Sequence, residues 1–166
     1  MMLAGLYIHI PFCRAKCAYC DFVSFAGMES LYGAYVEALR LEVAYAAPRW
    51  AGFSFDTLFI GGGTPTVLPA SSLEAIIAAC REALHWAEDA EITVEANPGT
   101  VTLSSLCALR RAGVNRLSLG VQSLHEAELA LLGRVHNRQT ALEAFALARE
   151  AGFENINLDL IFGLPG

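Results

Sequence analysis

Three cysteines, Cys13, Cys17 and Cys20, lie within eight residues of one another near the start of the chain. Their C-x3-C-x2-C spacing comes directly after a short strand-like segment, residues 6–10. Thiolates are ligands for iron–sulfur clusters, zinc and copper(I). A structural zinc site or a four-cysteine cluster needs four protein ligands, whereas this motif offers three. Three thiolates leave one metal position open, and an open position is typical of a metal centre that does chemistry.

The other cysteines do not complete a four-ligand set nearby. Cys80 and Cys107 lie far along the chain, in segments whose apolar periodicity predicts helices. From the residues alone, three other interpretations stay open: a zinc site that also uses His9, a disulfide-bonded segment, and three unrelated thiols. Arg14 and Lys16, inside the motif, either stabilise thiolates or belong to a solvated loop.

A run of three glycines, residues 61–63, follows an apolar strand-like segment and leads into Thr64 and Pro65. Glycine lets the backbone approach a ligand closely, and it serves a tight turn equally well. The run lacks the terminal Gly-Lys-Ser/Thr of a P-loop, which excludes a phosphate site of that kind. The run therefore predicts either a ligand-binding loop or a turn at the end of a strand.

Alternating strand-like and helix-like segments predict the elements that position these motifs. We predict strands at residues 6–10, 56–60, 91–95, 115–121 and 156–161, and helices at about 29–47, from about 71, 103–112, 125–132 and 138–151. Ser71 and Glu74 have capping-box spacing, and Gly113 and Gly152 are placed to end two helices. Strands that alternate with helices indicate the α/β class with a parallel sheet, here a partial (β/α) barrel.

Polar side chains occupy one face of the predicted strands near their C-terminal ends. Glu95, Gln122 and Asp159 lie at the ends of the third, fourth and fifth strands. A buried amide or carboxylate needs a partner, which either a polar ligand or another protein group supplies. This end of the strands carries the site in (β/α) barrels. Arg134, in the following loop, suits a bidentate contact with a carboxylate, the alternative being a surface arginine.

Composition excludes several classes of function. The 166 residues are 55% hydrophobic and carry a formal net charge of −6, which argues against binding to a nucleic-acid backbone. No apolar run reaches the length of a membrane helix, and the first residues lack the basic region of a signal peptide. Five cysteines, three of them crowded together, argue against a secreted disulfide framework. We therefore expect a cytoplasmic protein with no nucleic-acid partner and no integral membrane segment.

The cysteine motif also resembles that of a known family. C-x3-C-x2-C with an aromatic residue, Tyr19, before the last cysteine is similar to the motif of radical S-adenosylmethionine (SAM) proteins. Residues 7–13 resemble the branch that holds oxygen-independent coproporphyrinogen III oxidases and HemW-type haem chaperones, and the resemblance extends from Leu6 to Gly166. It implies that residues 1–166 are the N-terminal part of a radical SAM core domain. The barrel would be truncated after about the fifth strand, with the remaining strands and a C-terminal domain outside this chain.

The resemblance implies two cofactors. Cys13, Cys17 and Cys20 would hold a 4Fe-4S cluster whose fourth iron binds SAM, and an electron from the cluster would cleave SAM to a 5′-deoxyadenosyl radical. Residues 61–65 match the family's Gly-Gly-Gly-Thr-Pro loop, which binds the methionyl end of SAM. The implied cofactor-binding residues are Tyr7, Tyr19, Gly62, Gly63, Thr64, Glu95, Gln122, Arg134 and Asp159.

Two residues after the last motif cysteine bear on the function within that branch. Oxygen-independent coproporphyrinogen oxidases have Gly-Cys there, whereas this chain has Asp21 and Phe22, as in HemW-type proteins. The resemblance thus favours a protein that binds haem and delivers it to an acceptor protein. The alternative is an oxidase that decarboxylates the propionates of a porphyrinogen, and both functions imply an electron-donor protein. A metal-binding α/β domain without radical chemistry is a third interpretation.

Overall fold

The computed structural model describes residues 1–165. The strands are β1 (Met2–Ile10), β2 (Phe12–Cys13), β3 (Phe25–Ala26), β4 (Phe53–Gly62), β5 (Trp86–Ala96), β6 (Arg116–Gln122) and β7 (Asn155–Leu160). The α-helices are α1 (Tyr32–Ala46), α2 (Ala70–Ala83), α3 (Leu103–Arg111), α4 (Glu126–Leu131) and α5 (Arg138–Glu150). Single 3-10 turns stand at Glu29–Leu31, Ala47–Trp50, Pro65–Val67 and Pro98–Thr100. Among the described residues, no helix has the length and apolar character needed to cross a membrane.

Five strands form one parallel sheet in the order β1-β4-β5-β6-β7. Each of these strands pairs with the one before it, and a helix lies in every connection, as in the wall of a (β/α) barrel. The α/β class and the parallel, partial barrel predicted from the sequence are confirmed. β2 and β3 form a separate short parallel pair. This pair brings together the two ends of the cysteine loop, residues 12–26, which carries the three motif cysteines.

The core lies between one face of the sheet and the helices. Alternate strand residues point toward the helices and are buried, among them Ile10, Leu58, Ile60, Val94, Leu117 and Leu119. The helices meet them with the apolar face that the sequence predicts for α2, formed by Leu73, Ile76, Ile77 and Cys80, each at most 1% exposed. Because this burial fixes the strand faces, the alternate residues must point to the opposite side, where the polar groups lie.

Two helix ends are as predicted and one helix start is not. Gly113 and Gly152 have φ of +99° and +87°, the left-handed conformation expected of C-caps. The capping-box interpretation of Ser71 is wrong, because α2 begins one residue earlier and Pro69 is its N-cap without a side-chain bond. The fixed φ of proline is compatible with a helix start and supplies the turn instead.

The sheet also extends further than apolar alternation predicts. β4 runs past the predicted end at residue 60, because Gly61 and Gly62 pair with His9 and Ile10 of β1. At the other edge of the sheet, Leu158 and Leu160 are 42% and 64% exposed, although alternation places them on the helix-covered face. In the described part of the chain, β7 pairs with β6 alone.

Candidate functional site

A cleft with a volume of about 360 Å³ opens at the C-terminal ends of the strands. The cysteine loop, the glycine run and the strand ends line it together. Eleven of the twelve site residues predicted from the sequence lie in its lining: Cys13, Cys17, Tyr19, Cys20, Gly62, Gly63, Thr64, Glu95, Gln122, Arg134 and Asp159. Segments that are far apart in sequence therefore meet at one place, as expected for the C-terminal ends of barrel strands.

Tyr7 is the predicted site residue that lies outside this lining. Its ring stacks on Phe59, and its hydroxyl lies 2.9 Å from Nδ1 of His9. Nε2 of His9 lies 2.8 Å from the carbonyl oxygen of Val23. Because a carbonyl only accepts, Nε2 carries the proton and Nδ1 accepts from Tyr7. Both ring nitrogens are thus engaged, which disfavours the zinc interpretation that used His9.

Backbone and cationic contacts hold the cysteine loop in place. The amide of Phe25 donates to the carbonyl of Pro11 at 2.7 Å, and the amide of Ala18 donates to the carbonyl of Leu132 at 3.2 Å. Arg14 donates to the carbonyl of Gly99, and Lys16 donates to that of Phe22, both at 2.6 Å. These two cations therefore bind backbone oxygens, and the contact with a cysteine thiol comes from Arg134 instead.

The glycine run packs against the segment that carries the first cysteine. The amide of Gly63 donates to the carbonyl of Ile10 at 2.8 Å, and that of Thr64 donates to the carbonyl of Phe12 at 2.7 Å. A Cβ at Gly63 would lie 2.5 Å from the Phe12 carbonyl oxygen, too close for any side chain. Contacts within the protein therefore already require glycine at position 63, and they bring the Thr64 hydroxyl to 3.6 Å from Sγ of Cys13.

Arg134 joins several parts of the cleft. Its Nη1 lies 3.3 Å from Sγ of Cys17, and its Nη2 donates to the carbonyl of Gly120 at 2.6 Å and to Oδ1 of Asn97 at 2.5 Å. Nε is buried and has no hydrogen-bond partner within residues 1–165. Arg134 therefore has one buried donor without a partner and forms no salt bridge to a carboxylate in the described part of the chain, so its guanidinium suits an anionic ligand.

Two carboxylates stand at the ends of β5 and β7. Oε2 of Glu95 accepts a hydrogen bond from the amide of Gly62 at 3.0 Å. Burial raises the pKa of the Glu95 carboxyl above its ordinary value, the Gly62 amide opposes that rise, and the charge of Asp159 adds to it. Asp159 itself accepts from Asn157 at 2.6 Å and from Ser118 at 3.3 Å. Both carboxylates retain acceptor capacity toward a ligand with hydroxyl or ammonium groups.

Gln122 has an unusual backbone conformation. It is the one non-glycine residue with positive φ in residues 1–165, at +70°. It ends β6 where the register with β7 shifts, and its carbonyl accepts from the amide of Ile161 at 2.9 Å. Its side chain lines the cleft and is not hydrogen-bonded to the described residues. Strain of this kind is typical of a residue held in place for a ligand.

This conformation leads to a first prediction, made for the full-length protein. Gln122→Gly and Gln122→Ala remove the same polar group, but only glycine adopts φ near +70° without strain. We expect the glycine variant to have a free energy of unfolding about 1 kcal/mol above that of the alanine variant, measured by urea denaturation. Equal stability of the two would contradict the assigned backbone conformation.

Sequence reasoning missed Asn97 and Ser118 as parts of the site. Both line the cleft, and Asn97 bonds to Arg134 and to the Thr64 hydroxyl. The alternation of β5 contained the signal, because Asn97 follows Glu95 by two residues and so faces the same side.

His136 is a structural residue. It is 5% exposed, its Nε2 lies 3.1 Å from the Val121 carbonyl oxygen, and burial lowers its pKa.

The donor set of the cleft fits a cluster with SAM better than a single metal ion. Within the described residues, no three His, Cys, Asp or Glu side chains are grouped so that they could hold a metal ion. The three motif thiols nevertheless all face one cleft and are free. The ligands of a cluster with several irons stand further apart than those of a single ion. Together with the unpaired donor of Arg134, this three-thiol set fits a cluster that carries an anionic ligand.

Comparison with protein families decides the assignment. The family model described as the Radical SAM superfamily matches residues 7–166. The chain belongs to this superfamily. A structure of the FeFe-hydrogenase maturase HydG from Carboxydothermus hydrogenoformans, 18% identical to this chain, has a similar fold, with a TM-score of 0.66 over 99% of this chain and 38% of that protein.

More similar proteins belong to the branch that the sequence motif resembles. A haem chaperone HemW from Escherichia coli is 47% identical over 97% of this chain, and one from Synechocystis is 43% identical over 99%. The structure of HemN, the coproporphyrinogen III oxidase of Escherichia coli, is 36% identical with a TM-score of 0.90 and covers 99% of this chain. The chain spans 43% of the length of the first, 41% of the second and 38% of the third. The resemblance stated from the motif is thereby confirmed.

Proposed function

We propose that residues 1–166 are the N-terminal part of the core of a radical SAM haem chaperone, which binds haem and delivers it to an acceptor protein. The observation that carries the cofactor part is the meeting of Cys13, Cys17 and Cys20 with the glycine run and Arg134 in one cleft. Cys13, Cys17 and Cys20 would hold a 4Fe-4S cluster. When bound, this cluster supplies the electron for reductive cleavage of a carbon–sulfur bond of SAM.

The residues of the cleft would share the binding of SAM. The guanidinium of Arg134 would bind the carboxylate, because it lines the cleft and no carboxylate of the described residues pairs with it. Thr64 and Gly62 would border the methionyl end of SAM, next to Cys13. Glu95 and Asp159 would accept from ammonium or hydroxyl groups, since both stand at the cleft with acceptor capacity left. Gln122 and Tyr19 would close its remaining sides.

The haem-chaperone assignment rests on the relatives and on the residues after the cluster motif. Proteins named as HemW haem chaperones are 47% and 43% identical to this chain. Asp21 and Phe22 follow Cys20, as in that group, and the Phe22 side chain is 68% exposed. We propose haem as the cargo, an electron-donor protein and a haem-acceptor protein as partners, and a reducing cytoplasm as the compartment.

A second candidate function is oxygen-independent coproporphyrinogen III oxidation. The observation that favours it is the close structural match to HemN, with a TM-score of 0.90 at 36% identity. That match covers 38% of the HemN chain, so it speaks for the shared core and leaves most of that protein uncompared.

One experiment on the full-length protein separates the two functions. The cluster is reconstituted anaerobically, and the protein is given dithionite, SAM and coproporphyrinogen III, with porphyrin product and 5′-deoxyadenosine measured by chromatography. In parallel, haem binding and its transfer to an apo-haem protein are followed by absorbance. The chaperone proposal predicts tight haem binding and transfer without protoporphyrinogen. Stoichiometric protoporphyrinogen would instead support the oxidase and overturn the chaperone proposal.

A further inference from the structure

We propose that Asn97 is a positioning residue that couples the two sides of the cluster site. Its amide joins Thr64, next to Cys13, to Arg134, next to Cys17. The inference rests on the proposed cluster and SAM site and assigns a role to a residue outside the set implied by the family motifs.

The orientation of the Asn97 amide follows from its neighbours. Arginine has donors only, so the amide oxygen must face Nη2 of Arg134, at 2.5 Å. The amide nitrogen then donates to Oγ1 of Thr64 at 3.0 Å. This bond uses a lone pair of the hydroxyl and leaves the hydroxyl proton free to point at Sγ of Cys13, 3.6 Å away.

The same geometry explains why the neighbouring strand has a glycine. A Cβ at Gly120 would lie 2.9 Å from Oδ1 of Asn97, 3.2 Å from Nε2 of Gln122 and 3.5 Å from Nη2 of Arg134. The missing side chain makes room for the contact between the amide and the guanidinium. The backbone of Asn97 is fixed as well, because its carbonyl accepts from the amide and from the hydroxyl of Thr100 at 2.9 and 2.7 Å.

Two consequences follow for a bound cluster. Hydrogen bonds to ligand sulfurs tune the reduction potential of an iron–sulfur cluster, and a lost donor makes the reduced state harder to reach. Without the amide, the Thr64 proton is no longer directed at Cys13, so the potential falls. Without the amide oxygen, Arg134 loses one of its anchors and orients the SAM carboxylate less well.

The test uses full-length protein with three single variants and one double variant. Asn97→Leu removes both hydrogen bonds at similar volume without adding charge, Thr64→Val removes the hydroxyl, and Thr64→Ser retains it. The measurements are iron content, melting temperature, the midpoint potential of the reconstituted cluster without SAM, and the dissociation constant for SAM. A double variant, Asn97→Leu with Thr64→Val, tests whether the two residues act through one contact.

We expect Asn97→Leu to keep most of its iron, to bind SAM about tenfold more weakly and to have a more negative midpoint potential. Thr64→Val is expected to shift the potential in the same direction, Thr64→Ser to leave it near that of the wild type, and the double variant to shift it no further than Thr64→Val. A wild-type potential in Asn97→Leu, or shifts that add in the double variant, would overturn the proposal while the cluster and SAM site still stand. A wild-type protein that takes up no cluster would overturn the proposed function and this inference together.

Discussion

Full-length protein in which Cys17 is replaced by alanine is expected to lose most of its cluster iron after anaerobic reconstitution. Two thiolates, Cys13 and Cys20, are too few to hold a cubane whose fourth iron carries SAM. We expect the same loss for Cys13→Ala and for Cys20→Ala. Iron and sulfide assays together with the absorbance of the cluster measure the effect, and SAM cleavage is expected to fall below detection.

Cys107→Ala is the matched control for these variants. Cys107 lies in α3, away from the cleft, and its thiol is free and partly exposed. Its replacement is expected to leave the iron content within error of the wild type. If Cys107→Ala lost as much iron as Cys17→Ala, or if Cys17→Ala kept its full iron content, the ligand assignment would be wrong.

Gly63→Ala is expected to lower the free energy of unfolding by about 3 kcal/mol. The new methyl group would stand 2.5 Å from the carbonyl oxygen of Phe12 and 3.0 Å from that of Ile10, and backbone atoms yield at a high cost. The displacement would also break the hydrogen bonds that the amides of Gly63 and Thr64 donate to carbonyl groups of β1 and β2. Because Thr64 and Cys13 are held together by these bonds, we expect a reduced iron content as well. Urea denaturation measures the stability.

Gly33→Ala serves as the control for added volume. Gly33 lies in the first turn of α1, and a Cβ there would meet nothing within 4 Å. Alanine favours the helix over glycine, so this variant is expected to be about 0.5 to 1 kcal/mol more stable than the wild type. Equal effects of the two substitutions would contradict the close packing of the glycine run on the cysteine segment.

Local patterns were sufficient to predict the elements and most of the cleft. The alternation in residues 91–95 and 115–121 separates the helix-facing side from the polar side, and parallel strands bring their C-terminal ends to one edge. Glu95, Gln122 and Asp159 all stand at such ends. Their shared location could therefore be predicted without any knowledge of tertiary contacts. Cys13, Cys17 and Cys20 lie within eight residues of one another, so the sequence alone also places them in one short loop.

The features that the sequence did not predict depend on register and on long-range contacts. The hydrogen bond between Arg134 and Cys17 joins residues 117 positions apart, and it depends on the contact between the segment after α4 and the cysteine loop, where the amide of Ala18 donates to the carbonyl of Leu132. Asn97 precedes Pro98 and Gly99 in the sequence, and this strong turn signal hides the role of its side chain. The positive φ of Gln122 arises from the register shift between β6 and β7, which no local pattern records. Tyr7 lies outside the cleft lining, with its hydroxyl bonded to His9, and its role at the cofactor stays a prediction from the resemblance.

We propose that Cys13, Cys17 and Cys20 hold a cluster next to a SAM site formed by the glycine run and Arg134. The most direct test is a titration of the reduced, reconstituted full-length protein with SAM. The electron paramagnetic resonance spectrum of the cluster is recorded after each addition. We predict a cluster signal that changes in shape and g-values as SAM is added and saturates at one SAM per cluster. A cluster spectrum that SAM leaves unchanged, or a protein that retains zinc and no iron, would contradict this account.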